Sequence, residues 1–388
     1  MTSSVRCLFT NFSPRNLGDC LMVDAAIHGV IAINQAATIL LPQNTHDIDF
    51  HINSGQVKRL RIPDYRNFAN QPRRAKLGSL MSGPFQDFRF WKRENVDLIF
   101  DISGFYIGGG HDSQRARNII NHYRKGVESG AKLIVLPKTF GPLSNNSDKD
   151  LVAELFDLSS IFFCRDQKSL ETVSKIIGTT KSKRIQLGFD YTASVPSDAG
   201  SSQHPKQAAA IIPNVRMLDR TNPLVAESFF PFMAEAIKVL GLKGLTPVIV
   251  LQQPDIDMRA AEEIRKLVGG DIEIFSSFDH RKVKGFIYDC DIVLSARFHG
   301  ILNAISSGVP VLGLGWNHKY EEMLKSLNLD RFFVDGARMT QIKGDQEQIS
   351  KLIDDAMNAQ ADFTSARARH AELTSELWDK ISPLVNPA

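Results

Sequence analysis

The sequence predicts an α/β protein with parallel sheets in two domains, and three observations predict it. The chain has 388 residues, a length more comfortable as two hydrophobic cores than as one. Short β-rich runs alternate with helical stretches along it, as strands of a parallel sheet do with the helices that cover both of its faces. Residues 194–206, SVPSDAGSSQHPK, are rich in Ser and Pro and carry no apolar periodicity, which is the composition of a linker between two such sets.

The elements follow in order. VRCLFT reads as a strand, a helix starts near Asp19, and ATILLP is the next strand; the apolar run from Ala25 to Leu41 is a buried helix passing into that strand, since His28, Asn34 and Gln35 interrupt it too often for a membrane span. VDLIFDIS and AKLIVLP flank a helix from about Ser113, and SIFFCR and RIQLGF flank one from about Gln167. After the linker come QAAAIIP, a helix over Pro223–Leu240, TPVIVLQ, a helix over Met258–Val268, IEIFS, DCDIVLS, a short helix and PVLGLGW. The tail from Gln346 to Pro383 has helical spacing. The expected domains are therefore 1–193, a linker at 194–206, 207–345, and a helical tail at 346–388 that packs back on the first domain.

Composition narrows the function. With 43% hydrophobic and 23% charged residues and a net charge of +3 spread along the chain, there is no basic arm to track a nucleic-acid backbone. Cys7, Cys20, Cys164 and Cys290 are too few and too scattered for a disulfide framework or a zinc site. The start, MTSSVRCLFTNFSPRN, lacks the apolar core of a signal peptide. The expectation is a cytoplasmic protein.

Residues 295–313, SARFHGILNAISSGVPVLG, carry the chemistry. Ile292–Leu294 is a buried strand, Ile301–Ile305 has helical spacing, and Gly308 with Pro310 ends the helix. Arg297 and His299 thus stand at the carboxyl end of a strand and the amino end of a helix, where open α/β sheets bind ligands and free N–H groups favour an anion. Arg297 offers a planar fork to carboxylate or phosphate, and His299 is an acid or base suited to neutral pH. The competing reading is a structural ion pair for Arg297 and a helix-capping role for His299. In IGGGHDS, Gly108, Gly109 and Gly110 suit either close backbone approach to a ligand or a plain turn, and the run lacks the spacing of a dinucleotide loop. His111 and Asp112 have no third ligand nearby, so no metal site is expected.

This stretch resembles the polysaccharide pyruvyltransferase family, in which a Ser-x-Arg-x-His segment precedes a small-residue helix, Gly-x-Pro and a lysine. The matching positions are Ser295, Arg297, His299, Gly308, Pro310 and, in GWNHKYEEML, Lys319. NLGD at Asn16–Asp19, IGGG at Ile107–Gly110, FGPL at Phe140–Leu143, CRDQKSL at Cys164–Leu170 and NVR at Asn214–Arg216 are similar to further family segments, so the likeness spans residues 7 to 325. It implies a GT-B architecture, two Rossmann-like domains facing a central cleft, with an acceptor domain first and a donor domain second. It also implies transfer of the pyruvyl group of phosphoenolpyruvate onto two hydroxyls of a sugar as a cyclic ketal. The sequence offers no DxD-type carboxylate pair on a strand end and no His/Cys cluster with ligand spacing, so neither a metal nor another cofactor is expected.

Under that resemblance Arg165, Arg216, Arg297 and Lys319, each following an expected strand, bind phosphoenolpyruvate, the competing reading being solvated loop charges and, for Arg165, a local pair with Asp166; His299 is the acid, and Asn16, Asp19, Gly108, Gly109 and Gly110 belong to the acceptor side or the cleft. Asp19 and Asp190 are the candidates for a base, the competing reading being an aspartate that shapes a turn or cap. The acceptor would be a glycan or a lipid-linked oligosaccharide, placing the enzyme in the cytoplasm, with contact at the inner face of the membrane and homo-oligomerisation left open. The basic, aromatic-bearing segment 51–95 reads as an acceptor loop or an ordinary surface excursion. Two rival functions remain: a GT-B glycosyltransferase using a nucleotide sugar, disfavoured because Asn303 stands where such enzymes hold ribose with a glutamate, and a non-catalytic glycan- or anion-binding relative.

Overall fold

The computed structural model describes residues 4–45, 56–60, 95–143, 145–197, 205–315 and 317–387. Among them the strands form two sheets in which every neighbouring pair is parallel. The first contains β1 (Arg6–Thr10), β2 (Thr38–Pro42), β3 (Val57–Leu60), β4 (Leu98–Asp101), β5 (Lys132–Lys138), β6 (Ser159–Cys164) and β7 (Ile185–Leu187) in the order β3-β2-β1-β4-β5-β6-β7. The second contains β8 (Ala208–Ile212), β9 (Thr246–Val250), β10 (Glu273–Phe275), β11 (Ile292–Ser295), β12 (Val311–Gly315) and β13 (Phe333–Asp335) in the order β10-β9-β8-β11-β12-β13. Each sheet reverses its direction of winding once, between β1 and β4 and between β8 and β11. Such a point opens the crevice in which doubly wound sheets take their ligands.

The helices are α1 (Leu17–Ile33), α2 (Ser113–Glu128), α3 (Asn146–Leu158), α4 (Gln167–Ile177), α5 (Thr179–Ser182), α6 (Arg216–Asp219), α7 (Pro223–Leu242), α8 (Pro254–Val268), α9 (His280–Tyr288), α10 (Phe298–Ser307), α11 (His318–Ser326), α12 (Gly336–Ile342), α13 (Gln346–Met357) and α14 (Gln360–Val385). Their starts follow local capping chemistry: the side chains of Asp112, Asp166, Asn222 and Asp279 each accept a backbone N–H at the first turns of α2, α4, α7 and α9. Gly308 closes α10 in the left-handed region at φ 74°. Asp112, read from sequence beside His111, is thus a cap. The inner strands are buried throughout and apolar except for Asp101 and Ser295 at the carboxyl ends of β4 and β11, as strands covered on both faces must be. By contrast β3, VKRL, exposes Lys58 and Arg59 at the sheet edge, where charge discourages further pairing. It lies within the segment read as a loop; residues 51–55 and 61–94 of that segment lie outside the described residues.

The chain divides into two compact units, one of residues 1–14, 26–190 and 375–388, the other of residues 15–25 and 191–374. The expected first domain, 1–193, differs because residues 15–25 count with the second unit. There Asp24, fully buried, accepts a bidentate pair from Arg281 (2.8 and 3.0 Å) and meets His280 Nε2 at 2.8 Å. Leu17 N also donates to Gln252 O at 3.4 Å. The expected tail, 346–388, is likewise divided within α14. Its last residues belong to the first unit, where Asn34 Nδ2 donates to Val385 O (3.2 Å) and Trp378 packs on Gly29 so closely that a Cβ there would stand 2.1 Å from the indole. Of the expected linker, residues 198–204 lie outside the described residues; Thr192–Ser194 is a 3-10 turn whose Thr192 and Val195 carbonyls accept from the buried Lys284 ammonium. Among the described residues no helix is long and apolar enough to cross a membrane.

Candidate active site

In the second unit the expected site residues gather at the carboxyl edge of the sheet, around its reversal point between β8 and β11. Asn214, two residues beyond β8, donates from Nδ2 to Ala296 O just beyond β11 (3.0 Å) and accepts from Arg216 N (3.0 Å), so one side chain bridges the two strand ends. Ser295 closes the turn into α10: its Oγ accepts from Arg297 N at 3.1 Å and donates to Arg297 O at 2.9 Å. Gly300 lets this helix lie on the sheet, because a Cβ there would stand 2.4 Å from Ser295 Oγ. The backbone that presents Arg297 and His299 is therefore fixed from within its own few residues.

Arg297 is mostly buried, with 14% of its side chain exposed, and reaches the first turn of α8. Its Nη2 donates to Asp257 Oδ1 and its Nη1 to Gln253 Oε1 (3.3 Å), while among the described residues its buried Nε has no partner. Both competing readings of this arginine are thus partly met: it is ion-paired, and one edge of its fork is left over. Buried Gln252 Nε2 is a second donor without a partner among the described residues. Unmet buried donors are costly, and an oxyanion is a group that satisfies a donor such as the Arg297 Nε–H.

His299 follows on the first turn of α10. Its imidazole lies against Gly18 at the start of α1, where a Cβ would stand 2.2 Å from Nδ1. Asn16 shapes that start, its Oδ1 accepting from Gly18 N (3.1 Å) and its Nδ2 donating to Asp19 Oδ1 (3.2 Å). Asn16 and Asp19, expected on the acceptor domain, thus belong to the unit that holds His299. The reason is tertiary: the Asp24 ion pair and the Leu17 hydrogen bond draw this turn of α1 to α9 and to the end of β9.

Lys319 stands at the start of α11, beyond β12, with Asn317 Oδ1 accepting from its backbone N–H. Its Nζ lies 5.7 Å from the Phe298 ring centre and 5.4 Å from that of Tyr320, and Tyr320 donates to Ala296 O at 3.2 Å. The cation is therefore held over aromatic faces next to the Arg297 turn. Arg216 sits at the same edge, but its guanidinium pairs with Asp219 one helical turn on, and both side chains are about half exposed. Asn303 is buried, and neither of its amide atoms has a partner among the described residues.

Arg165 and Gly108–Gly110 belong to the first unit, so the four expected donor cations do not share one unit. Arg165 is buried, donates from Nη2 to Thr139 Oγ1 (3.0 Å) and lies 3.7 Å from Asp190. Asp166 does not pair with it but accepts from Ser169 N and Thr139 Oγ1. Beside them is a polar cluster that sequence reading missed. Asp101, at the end of β4, accepts from Lys138 Nζ, from Tyr106 OH (3.0 Å) and from Asn11 Nδ2 (3.0 Å), and all four are buried. Burial, together with the Arg165 charge, pulls the Lys138 ammonium below its usual range against the opposing pull of Asp101. Burial and the Asp101 charge push the Tyr106 phenol well up. The three glycines have positive φ, from 59° to 85°, and Gly109 N donates to Pro142 O, so the run is a tight turn joined to the Gly-Pro segment. Among the described residues no group of three His, Cys, Asp or Glu is placed to hold a metal ion.

Two parallel, doubly wound sheets define an α/β protein of the GT-B fold, and solved structures of that shape agree over the whole length. Anabaena HepE in complex with UDP and glucose matches with a TM-score of 0.60 at 13% identity, covering 99% of this chain and 100% of that one. The spinosyn rhamnosyltransferase SpnG matches with 0.53 at 13% identity, covering 98% and 99%, and OtsA with 0.55 at 12%, covering 98% and 99%. No curated protein matches the chain significantly. The model of the polysaccharide pyruvyl transferase family matches residues 16–318, and the chain belongs to that family of transferases.

Proposed function

We propose that the protein transfers the pyruvyl group of phosphoenolpyruvate to two hydroxyls of a glycan sugar, forming a cyclic ketal. The observation that carries this reading is the grouping of Arg297, with its unmet Nε donor, His299 and Lys319 around one sheet reversal point in a chain of the pyruvyl transferase family. Phosphoenolpyruvate bears a carboxylate and a phosphate, and Arg297 and Lys319 supply directional and point charge for them. His299 donates a proton to the methylene carbon of the enol, giving an oxocarbenium-like centre that one sugar hydroxyl attacks. Departure of phosphate then lets the second hydroxyl close the ketal, both hydroxyl protons leaving to base. The acceptor is a glycan or lipid-linked oligosaccharide met in the cytoplasm.

The test is incubation of the purified protein with phosphoenolpyruvate and a panel of galactosides, glucosides and mannosamine-containing glycans, following phosphate release and product mass together. A product carrying the pyruvyl ketal supports the reading. Phosphate release without a mass change, or saturable binding of a UDP or GDP sugar with none of phosphoenolpyruvate, would overturn it. Because the Lys319 charge and the directed Arg297 N–H groups meet the donor, turnover is expected to persist in EDTA. Loss that magnesium or manganese alone restores would refute that part.

A further inference from the structure

We infer that Asp257 is a positioning residue that holds the Arg297 guanidinium so that its Nε edge faces the anionic donor; this rests on the reading of Arg297 as a donor-binding residue. Asp257 is fully buried in the first turn of α8. Its Oδ2 accepts from Gln253 N (3.0 Å) and its Oδ1 from Val215 N (3.4 Å), so the carboxylate is itself fixed by two backbone segments, those following β8 and β9. Arg297 Nη2 donates to the same Oδ1, and Gln253 Oε1 holds Nη1.

A guanidinium has five N–H groups in one plane. With one proton of Nη2 and one of Nη1 engaged, rotation about the guanidinium axis is blocked, and the protons left include Nε–H, which is buried without a partner among the described residues. The Nε edge is thus the part of the fork available to two oxygens of one carboxylate or phosphate. Asp257 also cancels most of the Arg297 charge. Arg297 then acts mainly through direction, and the net attraction for an anion falls to Lys319 and the surrounding N–H groups. A buried carboxylate that weakens the anion's attraction is hard to explain as a stabilising device alone, since buried ion pairs contribute little net stability over apolar packing. It is explained if orientation matters more than charge.

The test is a double-mutant cycle of Asp257→Asn and Arg297→Lys on the full chain, with two probes: inorganic phosphate binding by calorimetry, and turnover with phosphoenolpyruvate and acceptor. Asp257→Asn is expected to bind phosphate as tightly as the wild type or tighter, because a negative charge is gone, while turnover falls by about tenfold or more as the fork loses its direction. In the Arg297→Lys background, which has no planar fork, Asp257→Asn is expected to change turnover little. Equal effects of Asp257→Asn in both backgrounds, no effect in either, or absence of phosphate binding to the wild type would each overturn the inference. Should Asp257→Asn not fold, Gln253→Leu removes the second tether with Asp257 left in place, and a turnover loss in the same direction, absent in the Arg297→Lys background, is the expected result. A wild type that is inactive with phosphoenolpyruvate, yet whose phosphate binding depends on Asp257 only through Arg297, would sink the proposed reaction and leave the positioning role standing.

Discussion

Arg297 and His299 lie two residues apart and are held by different parts of the same unit, so their variants are expected to fail in different ways. Arg297→Lys keeps a charge but loses the fork that Asp257 and Gln253 orient; donor binding should weaken by about 1–3 kcal/mol, read as a raised Michaelis constant. His299→Gln should leave donor affinity largely intact and lower turnover by about 10² or more, the range of a lost general acid. Near-normal turnover in that variant would move the proton source elsewhere. Gly18 gives a third check that does not touch the imidazole chemically. A Cβ at Gly18 would stand 2.2 Å from His299 Nδ1, so Gly18→Ala must displace the ring or the turn. Turnover should fall while a thermal melt shows a cost of about 1–3 kcal/mol, as for other overpacked sites. An alanine variant with wild-type kinetics would show that the position of the imidazole is not critical.

At the scale of elements, α1 is the informative case, because LGDCLMVDAAIHGVIAI is apolar nearly all the way round and mostly buried. Its first turns are held in the second unit by Asp24 against Arg281 and His280, together with the Leu17 hydrogen bond to Gln252. Asp24→Asn removes the carboxylate charge from the buried bidentate pair with Arg281 and should destabilise by about 3–5 kcal/mol, measured by urea unfolding, with an accompanying loss of turnover because Gly18 and His299 lose their register. Near-wild-type stability would show that packing alone holds this segment. The same scale explains one misread boundary. Periodicity starts α8 at Met258, whereas the helix starts at Pro254, and the difference brings Asp257 into its first turn. The signal was present: Pro at the first helical position followed by Asp255 and Asp257 is a helix start, and acids favour that end. What could not be read was that Asp257 would face an arginine forty positions on.

Across the whole molecule the four cysteines offer a test of how closed the cores are. All four are buried thiols, none of them in a disulfide. Burial, first, and the neighbouring Asp19 and Asp24 push the Cys20 thiol up to about 12 from the usual value of 9.0; burial likewise raises Cys7, Cys164 and Cys290. Between those two values the unfolded chain has lost the thiol proton that the folded chain keeps. The folded state then binds more protons, so stability falls as pH rises through this window and is unaffected by the thiol below it. Lys138, lowered by burial, acts in the opposite sense. The comparison is therefore made against Cys20→Ala, which leaves Lys138 in place: urea midpoints at about pH 8 and about pH 10 should converge more in the variant than in the wild type. An unchanged difference would mean that Cys20 is open to solvent.

The sequence by itself determined the order and type of most elements, the capped helix starts, and the place of Arg297, His299, Arg216 and Lys319 at the carboxyl ends of their strands. Those properties depend on residues a few positions apart: apolar periodicity, a capping side chain, a glycine that permits a left-handed turn. Helices α3, α5, α6, α9, α11 and α12 and strands β3 and β13 are not legible there, because each is brief or polar and gains its stability from neighbours. Only the tertiary structure decided that Asp257 holds Arg297, that Gly18 lies on His299, and that Asp101 gathers Lys138, Tyr106 and Asn11. It alone decided, too, that residues 15–25 count with the second unit and residues 375–388 with the first. The physical reason is that these are meetings of side chains from segments distant in the chain, set by which strands lie beside one another, and no local pattern carries that information.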